Sequence, residues 1–164
     1  MRFVALALLL LAGCSRHDTA VGNTDTPGGR LEAAALVRGL VPDPGSPILG
    51  SWARDTDRVC IVPGRPGGDE RIGALVDYGE GQGCAASGTV VRSGGRLDIR
   101  FGACRMTAIF DGERIIFPPE VPGACNQLCV GRASFAALAV DRQSGSVSEA
   151  ATLRTPGGRS LCAG

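Results

Sequence analysis

The sequence predicts a mainly β fold: a small antiparallel meander, closed as a barrel or folded as a sandwich, with one or two short helices and disulfide-stabilised. Three observations predict it. From Gly50 onward, short apolar stretches recur between glycine- and proline-containing turns, at the spacing of a small β domain. Arg96-Leu97-Asp98-Ile99-Arg100-Phe101 alternates throughout, setting Leu97, Ile99 and Phe101 on one face and three charges on the other. Cys60, Cys84, Cys104, Cys125, Cys129 and Cys162 form an even set, which in an exported chain reads as three bridges with about 15 possible connectivities.

The elements follow in order. Residues 31–38 are strong helix formers, with Gly39 to end the helix and Pro42-Asp43-Pro44-Gly45 to prevent continuation. Residues 51–53 and 58–62 are the first strands, and Pro63-Gly64-Arg65-Pro66-Gly67-Gly68 is a mobile loop after them. Residues 71–78 resume the sheet. Gly79-Glu80-Gly81-Gln82-Gly83 is a turn into Cys84; it lacks the Gly-Lys-Ser/Thr tail of a phosphate-binding loop.

Thr89-Val90-Val91 is joined to the alternating strand 96–101 by Ser93-Gly94-Gly95. Asp111-Gly112 is a two-residue hairpin signal between strands 106–110 and 114–117, and Pro118-Pro119 ends the meander. Residues 125–132 read as a bridged loop or a turn of helix, and 134–140 as a strand or an alanine-rich helix, with a strand continuing the sheet the favoured reading. Ser146-Val147-Ser148-Glu149 matches a capping box ahead of a helix at 150–154, and Cys162 is placed to staple the tail to the body.

Ahead of this domain, Arg2 precedes an apolar run over residues 3–11, too short for the roughly 20 residues a bilayer span needs. The run closes with Leu11-Ala12-Gly13-Cys14, which resembles the lipobox of bacterial lipoproteins. The resemblance implies a signal peptide over 1–13 and a mature chain that begins at Cys14, acylated there and held in the bilayer. Ser15 after the cysteine implies the periplasmic face of the outer membrane. Residues 14–30 read as a flexible tether, whose coil from 15 to 30 spans ~20–25 Å on average, and 31–164 as one β-rich domain. His17 falls in the tether and reads as a solvated linker residue.

Removing Arg2 leaves 16 arginines (17 − 1) against 16 carboxylates, a formally neutral mature chain without lysine. The arginines are interleaved with acids and aromatics are 4%, so neither the basic stripe nor the stacking platform of a nucleic-acid binder is present. The domain has no histidine or lysine to serve as base for a serine or cysteine nucleophile. Cys125-Asn126-Gln127-Leu128-Cys129 is metal-like in spacing only, so neither metal nor cofactor is expected. Asp55-Thr56-Asp57 lacks the glycine and distal glutamate of an EF-hand. Asp55, Asp57, Asp77 and Glu80, with Tyr78 beside them, are what remains for carboxylate chemistry. They read as solvated strand-edge acids, some paired with Arg54, Arg58 and Arg71, so no enzyme is expected.

Gly50-Ser51-Trp52, followed by Cys60 and Cys84 and then a meander, resembles the opening of calycin-type barrels, in particular the periplasmic protease-inhibitor (Inh) family. The resemblance implies Trp52 packed on the barrel floor and a Cys60–Cys84 bridge. The expected function is a membrane-tethered envelope lipoprotein acting as a non-catalytic binding or inhibitor module. Its partners are the lipid bilayer and an unknown envelope protein, the latter met through the 63–70 loop. A small-ligand-binding barrel, which needs a cavity, and a carboxylate hydrolase are the alternatives.

Overall fold

The computed structural model describes residues 25–38, 40, 42, 43 and 45–162. The expected signal peptide, Cys14, Ser15, His17 and Gly39 lie outside the described residues. The described residues fall into two compact units, divided between residues 41 and 42. In the first, helix α1 spans Pro27–Val37, beginning earlier than residue 31. Thr26 accounts for the early start, since its hydroxyl accepts from the Gly29 amide at 3.0 Å as an N-cap and Pro27 follows at the first helical position.

The second unit is a barrel. Strands β1 (Gly50–Arg54), β2 (Asp57–Val62), β3 (Glu70–Asp77), β4 (Gly83–Ser93), β5 (Arg96–Phe101), β6 (Cys104–Phe110) and β7 (Arg114–Ile116) pair in sequence order. The chain then makes an excursion through helix α2 (Gly123–Asn126) and the short strand β8 (Cys129–Val130), which pairs with the start of β4. Strand β9 (Ala139–Ser144) returns between β7 and β1, and β3 pairs with β4, so eight antiparallel strands close on themselves. Closure removes the free edges of an open sheet.

The interior is filled. Trp52, Ile61, Ile72, Leu97, Ile99, Phe101, Phe110 and Ile115 point inward and are buried. At the end where β1 begins, residues 46–49 form a plug. Ile48 is buried, Trp52 donates its indole N–H to the Ile48 carbonyl at 3.2 Å, and Arg92 and Arg142 donate to the carbonyls of Ser46 and Pro47. At the other end the excursion supplies Phe135, buried against Phe101 and Phe117 with ring centroids 5.7 and 6.2 Å away.

Strands β2 and β3 are buried on both faces. Their outer residues Cys60, Val62 and Leu75 pack under helix α3 (Val147–Thr152) and the tail to Cys162, through Ala150 and Leu161. Ser146 caps α3, its hydroxyl accepting from the Glu149 amide. Gly73 makes the close approach possible, because a Cβ there would overlap the Leu161 carbonyl. Ser87 and Arg71 then donate to the carbonyls of Leu161 and Cys162 at 2.6 and 3.1 Å.

The bridges are Cys60–Cys162, Cys84–Cys129 and Cys104–Cys125. The expected Cys60–Cys84 pairing is therefore wrong, for a reason of parity. Cys60 is opposite Gly73 on the outer face, while Cys84 is opposite Val76 on the inner one, so the barrel wall separates them. Cys125 and Cys129 are each spent on a different bridge, which disposes of the metal-like spacing.

Three more expectations change. Strand β4 extends far beyond 89–91, because small residues 85–88 pair along β3 and Gly88 lets the Arg100 carbonyl come close as the strand passes to β5. Residues 134–138 form turns instead of a strand, since Phe135 is drawn into the barrel. The 110–115 hairpin has a four-residue turn, 111–114, as Phe110 pairs with Ile115.

Asp111 organises that turn by accepting from the Glu113 and Arg114 amides at 3.0 and 2.7 Å. Gly112 holds φ 112°, and a Cβ there would overlap the Asp43 backbone. Gly112→Val should therefore destabilise by more than ~1 kcal/mol. A thermal melt unchanged by the substitution would contradict this account of the turn.

Candidate functional site

The strand directions sort the turns onto two ends, and the sequence-selected acids all fall on one of them. The β1–β2 turn carries Asp55, with Asp57 just after it, and the β3–β4 turn follows Asp77 and carries Tyr78 and Glu80. The 63–70 loop lies at the opposite end, with the plug. It is a closed turn, with the Gly68 amide donating to the Arg65 carbonyl at 2.8 Å.

The two acid-bearing turns are tied together. Thr56 donates its hydroxyl to the Asp77 carbonyl at 2.6 Å, and the Asp77 amide donates to Asp57 Oδ1 at 3.4 Å. Burial pushes the Asp57 carboxyl above its ordinary value, the bond from the Asp77 amide opposes that, and the Asp55 charge adds to the rise. Asp77 Oδ1 accepts from the Gly79 amide at 2.9 Å, so this acid builds its own turn. The expected arginine partners do other work: Arg58 donates to the carbonyls of Asp55 and Asp57, Arg71 to Cys162, and Arg54 to the Asp141 carboxylate. Asp141 is shared with Arg114 at 2.8 Å, and bonds from Arg114 and Arg54 hold its carboxyl below the ordinary range.

Backbone strain gathers at this same end. Asp55, Glu80 and Ala137 have φ of 49°, 51° and 56°, and among the described residues these are the non-glycine positions in the left-handed region. Such conformations cost on the order of 1–3 kcal/mol each. Ala137, with no polar side chain to offset the cost, closes the excursion over the barrel mouth. Two bonds between residues 78 and 82, Tyr78 amide to Gln82 carbonyl and Gln82 amide to Gly79 carbonyl, both 2.9 Å, lock the β3–β4 turn.

This locked turn exposes Tyr78 and Glu80. Tyr78 is 60% exposed and Val130, on adjoining β8, 65%. On one side of the turn lies a hollow of ≈160 Å³ walled by Asp57, Tyr78, Ser134 and Ala136. On the other a groove of ≈510 Å³ runs past Glu80, Gln82, Leu128, Val130, Pro156 and Arg159. The groove wall is pinned by the Cys84–Cys129 bridge between directly paired residues.

The sequence singled out Tyr78 and the acids but missed Val130, Ala137 and Arg159, which meet them only through the excursion and the tail. Trp52 is buried among barrel residues, with the Arg142 guanidinium 4.1 Å over its ring. Among the described residues no group of three or more His, Cys, Asp or Glu is arranged to hold a metal. The class this defines is a closed, filled eight-stranded antiparallel barrel stapled by disulfides. The chain matches no protein-family model, no curated protein and no solved structure.

Proposed function

We propose that the protein is an envelope lipoprotein, anchored through acylated Cys14 at the periplasmic face of the outer membrane, whose barrel is a non-catalytic binding or inhibitor module. The observation that carries the binding reading is the filled interior. Leu97, Ile99, Phe101 and Phe110 occupy the space a small ligand would need, which counts against the ligand-carrying alternative and leaves recognition to the surface. The end bearing Tyr78 is the favoured contact, because a rigid turn with an exposed aromatic between two concavities loses little entropy on docking. Lipid attachment is supported by Leu11-Ala12-Gly13-Cys14 and export by the disulfides.

A photo-crosslinker placed in cells at residue 78 should give a discrete adduct, and one at residue 65, on the opposite end, should not. Tyr78→Ala should weaken the captured complex about 10–30-fold. Cys14→Ser should release the protein from the membrane fraction and remove the adduct with it. Adducts from residue 65 alone, or purified protein that turns over a substrate and loses that activity in Asp57→Asn, would overturn the reading.

A further inference from the structure

Strand β5 turns Leu97, Ile99 and Phe101 inward and leaves Arg96, Asp98 and Arg100 exposed on the barrel wall. The register sets these charges in rows across three strands: Thr89, Arg100 and Arg105; then Val91, Asp98 and Thr107; then Ser93, Arg96 and Ile109. Arg100 is directly opposite Arg105. Like charges in that relation repel, so this pairing costs stability. Thr107 donates to Asp98 Oδ1 at 2.7 Å, and Asp69 stands at the margin of the ≈260 Å³ concavity over the first row. Among the described residues no carboxylate lies within 4.0 Å of Arg96, Arg100 or Arg105, whereas Arg54 and Arg114 share Asp141.

The face also exposes aliphatic groups, Val91 at 44% and Ile109 at 60%, and carries no aromatic. The tail covers β2, β3 and the start of β4 as far as Ser87, and these three rows, from Thr89 onward, lie beyond it. Closure leaves these strands no free edge for an added peptide strand, and the aromatic anchors usual at protein contacts are at the Tyr78 end instead.

We propose that this outer face of β4, β5 and β6 lies against a bilayer of anionic lipid, with Arg96, Arg100 and Arg105 on headgroup phosphates and Val91 and Ile109 at the acyl boundary. Guanidinium forks match phosphate oxygens, and each arginine near an anionic surface adds attraction while aliphatic side chains add burial. Its place in the cell rests on the attachment at Cys14 proposed above; its chemistry does not. For a tethered barrel a weak contact suffices, because the anchor sets a high local concentration. The contact lays the barrel on its side and leaves the Tyr78 end open to a partner.

The test uses the full mature chain as Cys14→Ser, unacylated, so that any vesicle binding is the face's own and is independent of lipidation. It should cosediment with phosphatidylglycerol-containing vesicles and not with phosphatidylcholine alone, and high salt should release it. Arg100→Ala with Arg105→Ala should weaken binding about 10–30-fold, with Arg65→Ala unchanged. Arg105→Glu should abolish binding while raising the melting temperature by about 1–3 °C, since it converts repulsion to attraction. Equal sedimentation with neutral vesicles, an undiminished double variant, or binding to polyglutamate with no binding to anionic vesicles would each overturn the proposal.

Discussion

Replacing Cys60 and Cys162 together by alanine should lower the stability of the barrel by about 4–5 kcal/mol, the largest loss from removing any of the bridges. The three bridges close sequence separations of 102, 45 and 21. Loop-closure entropy in the unfolded chain then ranks them at about 4.7, about 4.0 and about 3.3 kcal/mol. The folded state strengthens the ranking, because Cys60–Cys162 holds the layer that covers β2 and β3. Leu161 and Ala150 keep Val62 and Leu75 dry, and Arg71 and Ser87 bind tail carbonyls.

Urea unfolding separates the two contributions. A bridge acting only on the unfolded chain, once removed, lets that chain expand and raises the slope, while a tail that lifts in the native state lowers it, since less surface is left to expose. A loss below about 1 kcal/mol would show that the tail adds nothing to the barrel.

Local pattern told most of the strands and little of how they close. Residues 96–101 were readable because one face is buried and one solvated, so the two-residue period is written into the side chains. Strands β2 and β3 read less clearly, since the tail buries their second face. The early half of β4 was hidden because Ala85, Ala86, Ser87 and Gly88 have no strand preference and pair only through the ladder to β3. Strand β9 slots between strands far from it in sequence, and no local signal records that. The bridge pairing failed for want of parity: without the register between Cys60, Gly73, Val76 and Cys84, the opposite faces are invisible. Asp55, Asp57, Asp77 and Glu80 were correctly placed at strand ends, but that all four share one end follows from strand direction. Arg142 could have been noticed, because it holds an inward position two residues after buried Val140.

Trp52→Ala should cost about 3–5 kcal/mol, and the reason lies in what the indole connects. It is fully buried, stands edge-on to Phe110 with centroids 5.7 Å apart, and donates to the Ile48 carbonyl that holds the plug. One face of the ring carries the Arg142 guanidinium, and burial lowers the pKa of that group from its ordinary value, so the ring offsets part of the cost of placing a charge there. Removing the ring opens a cavity, unpairs a buried carbonyl and strips a partly desolvated cation of its support. Trp52→Phe should cost less, since it refills most of the volume and loses the hydrogen bond. A double-mutant cycle between Trp52→Ala and Arg142→Gln should give a coupling of about 0.5–2 kcal/mol. Tyr78→Ala, by contrast, should leave stability within ~0.5 kcal/mol. If Trp52→Ala fell within that same margin, the plug would not depend on the indole, and the closed interior on which surface recognition rests would lose its main support.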